Sequence, residues 1–396
     1  MASSAQLMRA YTGPALFSFG FRPFFLFGAI WAATAMLLWL AMLTGWLDLP
    51  TAFDSISWHA HEFLFGYLGA IIAGFLLTAV PNWTGRLPII GWRLATLFVL
   101  WVLGRVAVAF SANLSLPLVI ALDLAMPVLL MLAIAREIVA GKNWRNLIVL
   151  GILATFVLAN LVFHLEAADG GYAAQGYGFR IGLGAAIILI AMIGGRIVPS
   201  FTRNWLVKKG VDTLPAPPMQ VVDKIALLIL LGAVLLWVVY PGSAITGVML
   251  IIAGIAHLGR LARWRGHLTF NAPIVAVLHV GYLFVPLGAL AMGFDQLAGE
   301  TGTAMQHVWM AGGIGLMTLA VMTRASLGHT GRAIVANAGT VVVYISIVAA
   351  TLLRTLALWL SEWSQALFSL SGVFWLLAFG GFAVLYGPLL FKPRQS

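Results

Sequence analysis

The sequence predicts an all-α integral membrane protein of about twelve transmembrane helices. Three observations carry that expectation. Of the 396 residues, 62% are hydrophobic and 9% charged, whereas about a quarter of a soluble domain is charged. Apolar runs of bilayer-crossing length, ~20 residues, recur along the whole chain between short polar joints. Lysine and arginine concentrate in alternate joints, the bias that orients membrane helices.

In chain order, apolar periodicity and turn residues place spans near 22–45, 57–80, 92–111, 117–140, 145–165, 178–199, 223–240, 243–262, 270–294, 303–325, 333–360 and 366–390. The eleventh is long enough to tilt or to run beyond the bilayer. Basic joints hold Arg9 and Arg22; Arg86 and Arg93; Arg136, Lys142 and Arg145; Arg203, Lys208, Lys209 and Lys224; Arg260, Arg263 and Arg265; Arg324 and Arg332; and Lys392 and Arg394. The joints between them carry Asp48, Asp54, Glu166, Asp169, Asp295, Glu300 and Glu362. An even number of spans with both termini in the cytoplasm follows.

Residues 1–21 are polar and aromatic, unlike a cleavable signal. Phe201–Asp223, with Pro215, Pro217 and Pro218, reads as an extended linker rather than a domain. The whole chain, 1–396, is therefore expected to be one polytopic membrane domain. Spans 2, 6 and 10 end on TAVPNWTGR (78–86), GRIVPSFTRNW (195–205) and TLAVMTRASLGHTGR (318–332). Their spacing suggests three repeats of four helices, about 1–140, 141–262 and 263–396.

The net charge of +10 belongs to the cytoplasmic loops, and no soluble domain is left to bind nucleic acid. The absence of cysteine excludes disulfides, thiolate-held zinc, iron–sulfur clusters and covalently attached haem. Any haem is held non-covalently as a b-type group, and any copper uses His, Met or oxygen ligands. Phosphate-cradling, nucleophile-elbow and zinc-protease motifs are missing.

The eight histidines carry the chemistry. His59 and His61 open span 2 in WHAHEF, His164 closes span 5, and His307 opens span 10. All four lie toward the outer face in the predicted topology. His257 and His279 sit deeper on the antiparallel spans 8 and 9, where a purely structural role would pair them with each other or with the backbone. His267 and His329 fall in cytoplasmic loops. An ionisable side chain within hydrocarbon marks a functional site by default.

Residues two apart on a helix point about 200° apart, so His59 and His61 serve different partners unless the helix start is unwound. Glu62 lies on the face of His59, where it could orient that imidazole. Small residues follow both His59 (Gly66, Gly69, Ala73) and His307 (Ala311, Gly312, Gly313, Gly315). Such grooves allow close helix packing and would also admit a flat macrocycle. His164 could simply cap its helix; Asn160, four residues earlier, shares its face. Of 22 basic residues, Arg105, Arg180 and Arg354 alone lie at outer ends of spans. Haem propionates would pair with them, as would Asp123 and Glu166.

Several phrases resemble the bacterial NnrS family: GFRPFF (20–25), WHAHEFLFGY (58–67), AGFLLTAVPNWTGR (73–86), NLVFHLEA (160–167), RIVPSFTRNWL (196–206), LHVGYLFVPLG (278–288) and MTLAVMTRASLGHTGR (317–332). The resemblance implies a twelve-span inner-membrane protein carrying haem and copper, with a role against nitric oxide and nitrosative stress in denitrifiers and pathogens. A second similarity is architectural. Haem–copper oxidases and nitric oxide reductases also have twelve spans in three quasi-repeats, with haem ligands on spans 2 and 10. Here no adjacent His-His pair occurs and span 6 has no histidine, so the copper site of those enzymes is missing and turnover of their kind is not expected.

The functional expectation is a haem- and copper-binding membrane protein that protects against nitric oxide. Haem would be ligated by His307 and one of His59 or His61, with Arg105, Arg180 and Arg354 near its propionates. Copper would take the remaining imidazoles, either at an outer cluster with His164 or at His257 and His279. One alternative is an oxidoreductase that metabolises nitric oxide with a quinol or cytochrome as electron donor. The other is a metal-free proton-coupled transporter using His279 and Glu62.

Overall fold

The computed structural model describes residues 11–86, 88–300 and 305–395. Arg9 and the expected first residues of span 10 lie outside them. Among the described residues there is no strand, and twelve helices are long and apolar enough to cross a membrane. They are α1 (Phe21–Leu43), α2 (Ser55–Thr84), α3 (Trp92–Ala109), α4 (Leu116–Ala140), α5 (Trp144–Ala168), α6 (Tyr177–Lys208), α7 (Val221–Val239), α8 (Ala244–Ala262), α9 (Pro273–Leu297), α10 (Val308–His329), α11 (Ala338–Leu356) and α12 (Ser361–Leu390). The chain is a multi-pass membrane protein.

Local chemistry sets the helix ends. Asp54 caps α2 by accepting from the backbone N–H of Ile56 and Ser57 at 3.0 and 2.9 Å, satisfying donors that a helix start leaves open. Gln220 and Asp223 form a reciprocal capping box at the start of α7. A side-chain cap recurs at α11, where Asn337 Oδ1 accepts from Thr340 N at 2.8 Å.

Two expected boundaries differ. The eleventh span is not the long element expected from 333–360: the Asn337 cap delays its start, and it ends at Leu356, ahead of a short 3-10 turn at Ser361–Trp363. The sixth continues through Pro199 to Lys208, so only the later part of the expected linker is extended chain. The helix survives Pro199 because proline removes one bond and neighbouring groups compensate.

The chain packs as two compact units: Met1–Gly182 with Ala325–Arg332 and Phe379–Ser396, and Leu183–Arg324 with Ala333–Ala378. In the first, α2 is the central helix and the most buried span, with 83% of its apolar stretch buried. The helices around it bury one stripe and present another outward. On α4 the buried stripe is Val119, Asp123, Met126, Leu130, Ile134 and Ile138, a 3.6-residue period, while Leu118, Leu129 and Leu132 face outward. On α5 the buried stripe ends with Asn160, Phe163 and His164. Asp123, Asn160 and His164 therefore point into the unit for the same periodic reason as their apolar neighbours. In the second unit, α9 packs against α8 and the first part of α10.

Candidate metal centre

After His61 the backbone of α2 widens into a π-helix over Glu62–Tyr67, a local irregularity often found at functional sites. A second one, Val308–Leu316, follows His307 in α10. Glu62, expected beside His59, instead meets His61, with Oε1 3.0 Å from Nδ1.

His61 is wholly buried. Its Nε2 lies 2.9 Å from Asn160 Oδ1 and 3.2 Å from Asp123 Oδ2. Asp123 Oδ2 also accepts from Asn160 Nδ2 at 2.8 Å and meets His164 Nε2 at 2.9 Å. The donor atoms of His61, Asp123 and His164 all fall within 4.8 Å of one another. Phe53, Phe65 and Phe163 pack around the two rings. His164 Nδ1 is buried without a hydrogen-bond partner among the described residues.

Arg105, from α3, holds both carboxylates. Its Nη1 donates to Glu62 Oε1 at 2.7 Å, and Nη2 donates to Asp123 Oδ1. Trp31 Nε1, from α1, closes the cluster by donating to Glu62 Oε2 at 2.7 Å. Gly66 makes room for this meeting. A Cβ built there would lie 2.7 Å from Glu62 Oε2 and 3.1 Å from Trp31 Nε1, and would collide with the Arg105 guanidinium.

The hydrogen-bond pattern identifies what the cluster lacks. Because Asn160 Nδ2 donates to Asp123, its oxygen is the atom turned toward His61; reversing the amide would set two oxygens against each other. Both ring nitrogens of His61 thus face acceptors. Something positive must lie between Nε2 and those oxygens, either a proton or a metal ion. Formal charge agrees: two carboxylates and one guanidinium leave −1 with neutral imidazoles. A buried uncompensated charge costs several kcal/mol (~3–5 when a buried pair is broken), so a cation here would be strongly held.

The other expected site residues have separate surroundings. His59 stacks on Trp39, with ring centroids 4.1 Å apart, and meets Phe63 at 4.4 Å with the rings tilted. This agrees with the expected divergence of His59 and His61. His307 immediately precedes the second π-helix. Arg180 donates to Gln175 O at 3.0 Å and lies 4.7 Å over the Tyr177 ring; Arg354 lies 4.3 Å over Phe368.

His257 and His279, which a purely structural role would pair with each other or with the backbone, have separate partners. His279 Nε2 donates to Thr202 Oγ1 at 2.7 Å, since that hydroxyl donates to Val198 O. His257 Nδ1 accepts from Tyr282 Oη at 2.8 Å, and Nε2 donates to Ala226 O at 3.1 Å. Arg260, counted as a loop charge, is fully buried in the last turn of α8. It donates to Asp223 Oδ1 at 2.7 Å, Tyr282 Oη at 2.7 Å and Ala191 O at 2.8 Å. His329, expected in a loop, ends α10 with its ring 5.2 Å from Phe19 and 5.5 Å from Phe21.

Sequence reading missed Asp123 as a ligand candidate and Trp31 altogether. Asp123 was detectable: it is an acid in the middle of an apolar span, which is rare without a functional partner. Trp31 left no signal among 15 tryptophans.

Twelve helices of membrane-spanning length among the described residues, and a buried histidine–carboxylate–arginine cluster within the first compact unit, define a polytopic membrane protein with a site suited to a metal ion. The chain belongs to the NnrS family: the family model described as NnrS protein matches residues 15–394. Membership associates it with the nitric oxide response. A search of the curated proteins finds no match.

Proposed function

We propose that this is a haem- and copper-binding protein of the bacterial inner membrane that protects against nitric oxide, with copper held by His61, His164 and Asp123. The observation that carries the metal assignment is the His61 ring, which has acceptors on both nitrogens and so requires a proton or a metal ion at Nε2. The donor set suits the metal: imidazole and carboxylate are ligands for borderline divalent ions including copper. Bound copper would supply a centre to which nitric oxide binds.

The chain's own residues prepare that centre. Glu62 accepts the Nδ1 proton of His61, which frees Nε2 as the ligand atom; carboxylate–histidine pairs of this kind fix the tautomer at metal sites. Arg105 holds Glu62 and Asp123 in place. The unpartnered Nδ1 of His164 provides a place for the proton that leaves Nε2 when that atom becomes a ligand. The surrounding phenylalanines exclude water.

Haem does not fit at His61, where Phe53, Phe65, Phe163, Asn160 and Asp123 already pack against the ring and leave no room for a macrocycle. Arg105 is likewise committed to carboxylates rather than to propionates. His59 and His307, the latter directly before a π-helix, are left, each by itself, as haem-ligand candidates, with Arg180 and Arg354 as the remaining propionate partners. The positive-inside pattern orients the His61 cluster toward the periplasm.

Metal analysis and an optical spectrum of the purified protein test this reading. Copper and a haem spectrum are expected in the wild type. A folded, full-length preparation from copper- and haem-replete cells that contains neither would refute it.

A further inference from the structure

A small cavity abuts the cluster. It measures about 10 Å³ and is bounded by Asp123, Asn160 and Arg105 on one side, with Gly69, Phe65 and Phe156 among its apolar lining. That is the room of one water-sized molecule. Arg105 is buried, and its Nε–H has no hydrogen-bond partner among the described residues. The cavity exists because position 69 is glycine: a Cβ built there would meet only the Phe156 ring, at 4.0 Å. Pro127 is the half-buried member of the lining. Proline has no N–H, so it leaves the carbonyl of Asp123, four residues earlier, without its helical bond.

We infer that this cavity is a docking site for one small uncharged molecule of nitric oxide's size, placed beside the donor atoms of the cluster, with Gly69 setting its capacity. Its apolar wall suits a gas that partitions into lipid, and the Arg105 Nε–H offers one hydrogen bond. Its polar edge includes Asp123, one of the side chains that would hold the metal. Water has the same size and can accept the same bond, so the experiment must separate a site that admits the gas from one that holds only water. The role of the docked gas rests on the proposed metal centre; the existence of the docking site does not.

The test uses metal-free protein and Trp101, which also lines the cavity. Nitric oxide quenches tryptophan fluorescence on contact, and the Trp101 signal is the difference between the wild type and Trp101→Phe. Gly69→Val should reduce the quenching rate at Trp101 at least threefold, with Gly69→Ala intermediate. Val157→Ala, which enlarges the lining, should raise it. Equal quenching in the wild type and in folded Gly69→Ala and Val157→Ala proteins would overturn the inference and point to a water site. In copper-loaded protein, Gly69→Val should keep its metal but bind nitric oxide more slowly. Absence of copper in the wild type would count against the proposed function while the quenching series still decides the cavity.

Discussion

Asp123 contributes one oxygen to three neighbours: Asn160 Nδ2, His164 Nε2 and His61 Nε2. Its other oxygen takes the Arg105 guanidinium. Asp123→Asn keeps the shape but removes the charge and a ligand oxygen. It is expected to lower copper occupancy at least tenfold, measured as metal per protein at fixed free copper. Glu62→Gln keeps a single acceptor oxygen, so it can serve Trp31 on one side or Arg105 and the Nδ1 proton of His61 on the other, but not both. A loss of about 10–100-fold in copper affinity is expected, the usual effect of removing such an outer partner; unchanged affinity would separate Glu62 from the site. The cluster was only partly legible in the sequence. The i, i+4 pair Asn160 and His164 was visible because helix periodicity is local. The Glu62–His61 contact was not, because spacing gives the face of the helix a side chain leaves from and not which way a long carboxylate then turns.

At the scale of the element, the two π-helices follow the histidines at the starts of α2 and α10. In α2 the widened turn brings Gly66 under Arg105, Glu62 and Trp31. Gly66→Ala touches no proposed ligand, yet its Cβ must displace this clamp. Overpacking of this kind costs about 1–3 kcal/mol, which should appear as a lower melting temperature of the detergent-solubilised protein and reduced copper retention. A variant as stable as the wild type with full copper would show that the clamp has room to relax. The existence of all twelve spans was legible because each is a long apolar run. The ends of α6 and α11 were not: α6 runs through Pro199, where the apolar run ends, to Lys208, and the Asn337 cap is a local bond that hydropathy does not register.

At the scale of the molecule, two buried charged clusters lie one in each compact unit: Arg105 with Glu62 and Asp123, and Arg260 with Asp223. Arg260→Ala removes the close buried partner of Asp223 and leaves it only Arg263 at 4.0 Å and the Gln220 backbone N–H, a loss of up to about 3–5 kcal/mol. Melting temperature should fall while copper per folded protein stays the same. Orientation is testable because the chain has no cysteine. Asp169→Cys should react with an impermeant thiol reagent added outside intact cells, whereas Lys208→Cys should react only once the membrane is opened. The reverse pattern would put the His61 cluster on the cytoplasmic side.

A copper ion at His61, His164 and Asp123, separate from haem, is tested most directly by measuring copper and haem per protein. Both are determined together on the purified wild type and on His164→Ala. Copper is predicted in the wild type and its loss in the variant, with the haem spectrum unchanged. Equal copper in both folded proteins, or loss of haem together with copper, would contradict it.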